Sequence, residues 1–277
     1  MARKDKKSAS IEISKSCVDG VINYIEDNIE NFNVNIRILS EYSGYSRRHL
    51  QFLFRMYIGM PIGKYIKLRR VSRASIYLMF TRNKISDISE TMLFDSPQTF
   101  AREFKKITGV TPNRYRNDKA WGFLNMTGKM NTGTTIPLPI IKFIPERNVF
   151  VRSFSSVNTI LCTDEFNKTW RKISETHRDR QKTIISYSIE PGYTVNSFII
   201  NSFVWGEGDD YDKEIIIKGG YFAYFCYQGS RKDYTSFINN VYMSVLGKFD
   251  FKKKGYDIEM VTPVNDEFFF EYYLPIW

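Results

Sequence analysis

Ser46-Arg-Arg-His-Leu-Gln-Phe-Leu-Phe-Arg-Met-Tyr-Ile-Gly59 and Ser96-Pro-Gln-Thr-Phe-Ala-Arg-Glu-Phe-Lys-Lys-Ile-Thr-Gly109 are two versions of one pattern, offset by 50 residues. Ser46 matches Ser96, Leu50 matches Phe100, Phe54 matches Phe104, Arg55 matches Lys105 and Gly59 matches Gly109. Each stretch reads as a helix of about 12 residues. A serine stands where its hydroxyl can accept an unpaired backbone N–H. A glycine closes each helix, suited to the left-handed position that follows a last turn. Pro97 falls at the first helical position, where a missing N–H costs little.

Upstream of each copy lies a shorter helical run, Ile36–Glu41 and Ser86–Thr91. The turns between are Ser43-Gly-Tyr45 and Leu93-Phe-Asp95. Short helix, tight turn, longer helix is the helix-turn-helix plan, whose second helix enters the DNA major groove. In the first copy Leu50, Leu53, Phe54 and Tyr57 form an apolar stripe, with Arg47, Arg48, Gln51 and Arg55 off it. In the second, Phe100, Phe104 and Ile107 form the stripe, and Gln98, Thr99, Arg102, Lys105 and Lys106 lie elsewhere. Arginine and glutamine read guanine and adenine edges bidentately. Between the copies, Pro61 to Thr81 reads as one helix. About 20 residues at a rise of about 1.5 Å make ~30 Å. One turn of B-DNA is ~34 Å, so such a spacer suits two reading helices in adjacent major grooves and a chain that binds as a monomer.

The charge supports this division. The chain has 277 residues and a formal net charge of +10. Residues 1–122 hold 22 Lys+Arg against 12 Asp+Glu, and residues 123–277 hold 18 of each. All the net charge therefore lies in one half, the electrostatic footprint of a phosphate-rich partner. The first helix of that half carries Cys17, Val21, Ile22, Ile25 and Ile29 at helical spacing. Ahead of it, Arg3, Lys4, Lys6 and Lys7 read as a disordered basic arm with no apolar run behind them, and so not as a secretory signal. No apolar run approaches the ~18 residues of a membrane span. Three scattered cysteines, Cys17, Cys162 and Cys226, and two histidines, His49 and His177, support neither a disulfide framework nor a zinc site. No cofactor motif or catalytic signature occurs. The expectation is a cytoplasmic, nucleoid-associated protein that needs no cofactor, is not an enzyme and has no membrane partner.

Asn125-Met-Thr-Gly-Lys-Met-Asn-Thr-Gly-Thr-Thr135 lacks periodicity and reads as part of a linker over 123–137, dividing an all-α domain at 11–122 from a second domain at 138–277. The second domain alternates strand and helix twice. Strand Asn148–Phe154, helix Asp164–His177 and strands Thr183–Glu190 and Ser197–Trp205 make the first round. Strand Gly219–Tyr227, helix Arg231–Phe249 and strands Tyr256–Thr262 and Glu267–Ile276 make the second, and a short strand Pro139–Ile144 precedes both. Two β-α-β-β units imply an α+β domain with helices on one side of antiparallel sheets.

Residues from about Val18 to Trp121 resemble the AraC/XylS family of bacterial transcription factors, and within it the MarA, SoxS and Rob group. The matching text includes Ser43-Gly-Tyr-Ser-Arg-Arg-His-Leu-Gln51, Tyr65-Ile-Lys-Leu-Arg-Arg-Val71, Ile85-Ser-Asp-Ile88, Phe94-Asp-Ser-Pro-Gln-Thr-Phe100 and Gly109-Val-Thr-Pro112. The resemblance implies two helix-turn-helix units bridged by a long helix, promoter DNA and RNA polymerase as partners, and a regulator of activator type. By position it gives base contacts to Arg48, Gln51 and Phe52 in the first recognition helix and to Gln98, Thr99 and Arg102 in the second. Arg47, Arg55, Ser96, Lys105 and Lys106 complete the expected DNA-binding set. The chain departs from the family text at Arg48, where tryptophan is usual, and at Phe52, where arginine is usual. It departs again at Leu93, where the family has glycine, and at Pro97, where it often has glutamine. Phe52 is either a contact to a thymine methyl or part of the core.

The second half, through Gly219-Gly-Tyr-Phe-Ala-Tyr-Phe-Cys-Tyr-Gln-Gly229, Gly255-Tyr-Asp-Ile-Glu259 and Tyr273-Leu-Pro-Ile276, resembles a GyrI-like effector-binding domain, a Rob-like arrangement. That resemblance implies a cleft for a lipophilic, often cationic small molecule, with Glu259 as the acid and Trp205 and Tyr224 as walls. An aromatic box with one carboxylate is what a hydrophobic cation needs. Two other readings fit the same residues: a GyrI-like hydrolase with Glu259 as base and an attached DNA-targeting domain, and a non-specific nucleic-acid-binding protein.

Overall fold

A computed structural model of the chain describes residues 2–32, 34–118, 121–130, 132, 138–159, 169–173, 182–206, 211, 213–242, 246–249 and 251–277. The first half is helical: α1 (Ala2–Asn28), α2 (Ile36–Ser43), α3 (Arg47–Ile58), α4 (Ile62–Phe80), α5 (Ile85–Thr91), α6 (Pro97–Thr108) and α7 (Pro112–Asn117). The residues expected as a disordered arm continue α1 to Ala2. Val18, Val21, Ile22, Ile25 and Ile29 of α1 are buried, with Leu50, Leu53 and Phe54 of α3 and Ile62, Tyr65 and Ile66 of α4. Further along, α4 turns Val71, Ala74, Tyr77, Leu78 and Met79 into a second core that holds Phe100 and Phe104 of α6.

Two charged pairs lock α1 to α4 between these cores. The Glu26 carboxylate accepts from Arg69 Nε at 2.7 Å and Nη2 at 2.6 Å, and from the Tyr65 hydroxyl at 3.0 Å. One helical turn on, Arg73 pairs with Glu30 at 2.8 Å, and the Tyr77 hydroxyl donates to Glu30 at 2.8 Å.

The second half is an antiparallel sheet that curls. Its strands are β1 (Trp121–Gly122), β2 (Ile140–Ile144), β3 (Arg147–Thr159), β4 (Thr183–Pro191), β5 (Ser197–Trp205), β6 (Lys213–Ile217) and β7 (Gly220–Gly229). After α8 (Arg231–Asn240) come β8 (Lys252–Lys253), β9 (Asp257–Val264) and β10 (Glu267–Ile276). The pairing runs β2-β7-β10-β9-β4-β5-β3-β6, with a short β1–β8 ribbon meeting β10 at Ile276. Only Pro145 and Glu146 separate β2 from β3, yet those strands pair near opposite ends of the order. The ends must therefore meet, and Lys218 and Gly219 make the same switch from β6 to β7. A Cβ at Gly219 would lie 2.7 Å from the Glu146 nitrogen, so this crossing takes only glycine.

The expected strands recur within a few residues of their places, and β1, β6 and β8 are added. Of the helix expected at Asp164–His177, residues 169–173 are helical and the rest lies outside the described residues. Of the helix expected at Arg231–Phe249, residues to Asn240 are α-helical as α8, Val241 and Tyr242 continue it as a π turn, residues 243–245 lie outside the described residues, and Leu246–Lys248 forms a 3-10 turn. The segment after β1 packs against that 3-10 turn. Asn125 donates its N–H to the Gly247 carbonyl at 2.9 Å, and the Met126 carbonyl lies where a Cβ on Gly247 would stand, 2.2 Å away.

That segment was expected as linker. Its described residues are packed. Phe123 and Met126 belong to the core that α4 and α6 share with Phe225, Val261, Phe270 and Leu274 of the sheet. The Thr127 N–H donates to Ser72 Oγ at 2.8 Å, and Thr132 bonds Asp19 through its N–H at 2.8 Å and its hydroxyl at 2.6 Å. Asn196, in the β4–β5 turn, donates its N–H to Asn83 Oδ1, beyond α4, at 3.0 Å. No helix among the described residues is long and apolar enough to cross a membrane.

Burial pushes the Glu26 carboxyl up, but the Arg69 bonds and charge outweigh it and hold the group below its ordinary 4.5. The stabilisation is therefore complete above that ordinary value and disappears as pH falls through the depressed one. Arg69→Met should cost ~3–5 kcal/mol at neutral pH by stranding a buried carboxylate. Urea unfolding repeated along a falling pH series should show the difference from the natural chain shrinking as Glu26 takes up a proton, below its ordinary range.

Candidate nucleic-acid interface

Helices α3 and α6 are built alike. Ser46 Oγ accepts the His49 N–H at 3.3 Å, and Ser96 Oγ accepts the Thr99 N–H at 3.1 Å. Gly59 and Gly109 take left-handed φ of 80° and 81°, and each returns its N–H to Arg55 or Lys105. Each helix sinks one face: Leu50, Leu53 and Phe54 for α3, Phe100 and Phe104 for α6. The opposite face is open on both. Arg47, Arg48, Gln51, Phe52 and Arg55 are exposed on α3, and Gln98, Arg102, Lys105 and Lys106 on α6. Ser96 and Thr99 are half-buried, and the Ser96 hydroxyl donates to Thr99 Oγ1 at 3.0 Å, so both serve the cap. The core alternative for Phe52 fails, since its ring is 61% exposed. Met56, one turn further and 53% exposed, was not among the expected residues. Its place four residues after Phe52 was the available signal.

The residues expected to hold a small molecule are not brought together. Trp205 and Tyr224 border the core on one face of the sheet, with Phe203, Ile258 and Tyr273. Glu259 alternates with Ile258 and so points to the opposite face, under the helices. There it is buried and ion-paired with Arg231, and it accepts from the Tyr187 hydroxyl at 3.3 Å. The Arg231 guanidinium in turn lies 4.0 Å from the Trp170 ring centroid. A carboxylate already paired in this way is poorly placed to meet a cationic ligand or to act as a base. The acid beside the aromatic face is Glu271, which accepts from the Tyr224 and Tyr273 hydroxyls at 3.4 and 3.3 Å and pairs with Lys182 at 2.8 Å. Lys142 Nζ stands 3.3 Å from the Tyr224 centroid, and Arg147 lies 5.4 Å from that of Trp205. The chain's own cations therefore cover both rings.

A helix-turn-helix domain family matches residues 39–118, the span from α2 through α7. The F1 operon positive regulatory protein of Yersinia pestis is 35% identical over 269 residues, 96% of this chain and 89% of that protein. The right origin-binding protein of Escherichia coli is 28% identical over 248 residues, 81% of this chain and 83% of its own length. The transcriptional activator AarP of Providencia stuartii is 36% identical over 105 residues, 38% of this chain and 77% of its own.

The chain belongs to the AraC/XylS family of transcription regulators. Two of its departures from the family text have local physical readings. Leu93 follows α5 with φ of 56°, a left-handed conformation that glycine adopts freely and leucine does not. Pro97 opens α6, where Ser96 already caps the turn through Thr99. The start of α6 is thus held by Ser96, with Pro97 lacking one of the N–H groups that would need a partner. Ser96→Ala and Ser46→Ala should each lower stability by ~1 kcal/mol in denaturant titrations. The loss at Ser96 should be the larger, because Thr99 Oγ1 also loses its partner.

Proposed function

We propose that this regulator binds promoter DNA sequence-specifically as a monomer, with α3 and α6 in adjacent major grooves, and activates transcription together with RNA polymerase. The observation that carries the reading is the pair of open, capped helices α3 and α6, one seated in each of the two cores that α4 runs through. Their exposed rows hold Arg48, Gln51 and Arg55 on one and Gln98, Arg102 and Lys105 on the other. Helix α4 has 19 residues, so it spans ~28 Å, near the ~34 Å between successive major grooves. Lysine and arginine contacts to phosphate would supply affinity, and the arginine and glutamine contacts to base edges would supply selection. The name of the Yersinia pestis relative supports activation. A place in the cytoplasm, on the nucleoid, goes with the same reading.

The division of labour would be 11–122 for DNA and 138–277, as a GyrI-like pair of β-α-β-β units, for an effector or partner. A lipophilic effector would meet the chain at the aromatic face with Trp205 and Tyr224 by displacing Lys142 and Arg147 from the rings. Glu271 is the carboxylate on that face and already pairs with Lys182, so the reading asks no free acid of the site.

Binding selection on random duplex DNA with the full-length chain tests the proposal. One sequence with two separated elements should be enriched, bound at one chain per duplex in sedimentation. Arg102→Ala should weaken that complex by ~1–3 kcal/mol and relax selection at one base pair. An equal loss on all sequences would assign Arg102 to phosphate, and enrichment of no sequence would leave a non-specific binder.

A further inference from the structure

The two recognition helices are an internal comparison, because their exposed positions correspond at an offset of 50. On α3 the exposed side chains form two rows with helical spacing of four, Arg48-Phe52-Met56 and Arg47-Gln51-Arg55. On α6 the first row reads Gln98-Arg102-Lys106. Two large apolar side chains on the first helix thus stand where the second has two cations. Neither belongs to the core, which α3 meets with Leu50, Leu53 and Phe54. The Phe52 ring is propped from its own helix, with its centroid 6.4 Å from His49, whose ring lies 4.9 Å from Tyr45.

A single exposed phenylalanine needs no explanation. An apolar pair, one turn apart and flanked by Arg47, Arg48 and Arg55, does. The flanking charge favours a polyanion as the occupant of this face over an apolar protein surface. On the edges of DNA bases in the major groove, the one apolar group is the C5-methyl of thymine.

We infer that α3 reads thymine methyl groups through Phe52 and Met56, so that the half-site under α3 depends on thymine methyls and the half-site under α6 does not. This rests on the proposed placement of both helices in major grooves. The two heads would then select by different chemistry: methyl burial plus arginine and glutamine on the first, hydrogen bonding and charge on the second. Burying one methyl is worth roughly a fourfold change in affinity.

The test uses the full-length chain and the duplex that it enriches from random sequence. Positions where Arg48→Ala relaxes selection mark the α3 half-site, and positions where Arg102→Ala does so mark the other. Each thymine is then replaced in turn by deoxyuridine, which removes only the methyl. At one or more α3 positions binding should weaken roughly fourfold, and nowhere in the α6 half-site should it change. Phe52→Ala and Met56→Ala, both at exposed positions, should each reduce that sensitivity, and the double variant should bind thymine and uracil duplexes equally. Indifference of the natural chain to uracil throughout the α3 half-site would overturn the inference while leaving sequence-specific binding intact. So would uracil sensitivity that persists in the double variant. Loss of promoter activation by Phe52→Ala with no change in either duplex's affinity would give the pair to a protein partner instead. If no sequence is enriched at all, the proposed function falls and this inference falls with it.

Discussion

Helix α4 is the constraint on which the rest depends, because it runs through two hydrophobic cores. Ile62, Tyr65 and Ile66 lie in one, and Val71, Ala74, Tyr77, Leu78 and Met79 in the other. A helix packed at both ends cannot bend without opening one core or the other, and interiors at native packing density resist that. Between the cores the helix is held by charge. Arg69 reaches Glu26 and Arg73 reaches Glu30, so α1 is bolted along the middle of the beam. The Ser72 hydroxyl donates to Leu68 O at 2.9 Å within the helix and accepts the Thr127 N–H from outside it. The separation of α3 and α6 is therefore set by a packed solid and not by a flexible tether.

The same packing joins the two halves. Phe123 meets the Tyr242 ring at 5.6 Å, and Tyr242 and Tyr272 both donate to the buried Asp257 carboxylate. Phe270 stacks on Tyr234 at 3.9 Å within a core that also contains Leu78 and Phe104. The helical half and the sheet thus bury apolar surface against each other, and each contributes to the stability of the other. Asn83 and Asn196 fix a second point of contact away from that core. A force on the β4–β5 turn would reach α5 through the residues that follow α4.

The helices were legible because the repeat reports them twice. Serine and glycine at fixed offsets mark the ends, and apolar spacing marks the face, so α3 and α6 could be bounded to the residue. Strands were legible for a similar reason, since alternation and turn residues such as Asn265, at φ 53°, punctuate them. The side of the sheet was not legible. Along Asp257-Ile-Glu-Met-Val261 both alternating sets are largely buried, one under the helices and one inside the curl. Period-two alternation gives parity, and a sheet covered on both faces does not say which parity faces a ligand. The pairing of Glu259 with Trp205 and Tyr224 rests on the resemblance alone, and alternation offers nothing to correct it. The linker misled for another reason. Residues 125–132 have small and amide-rich composition, but their N–H groups find Ser72 and Asp19, which are distant in sequence. Buried Arg69 was equally hidden, because nothing near it in the chain announces Glu26.

Set side by side, the two copies separate what the fold requires from what the surface is free to do. Four capped, buried or left-handed positions agree between the copies: Ser46 with Ser96, Leu50 with Phe100, Phe54 with Phe104, Gly59 with Gly109. Those residues are fixed by orphan N–H groups, by volume and by φ, and substitution at any of them has a defined cost. Along one exposed row the copies differ: Arg48 against Gln98, Phe52 against Arg102, Met56 against Lys106. No packing term acts there, so the difference is not needed to build the helix. A chain that holds two unlike faces at a fixed separation presents a surface with a direction. Any partner that spans both faces meets them in one order only.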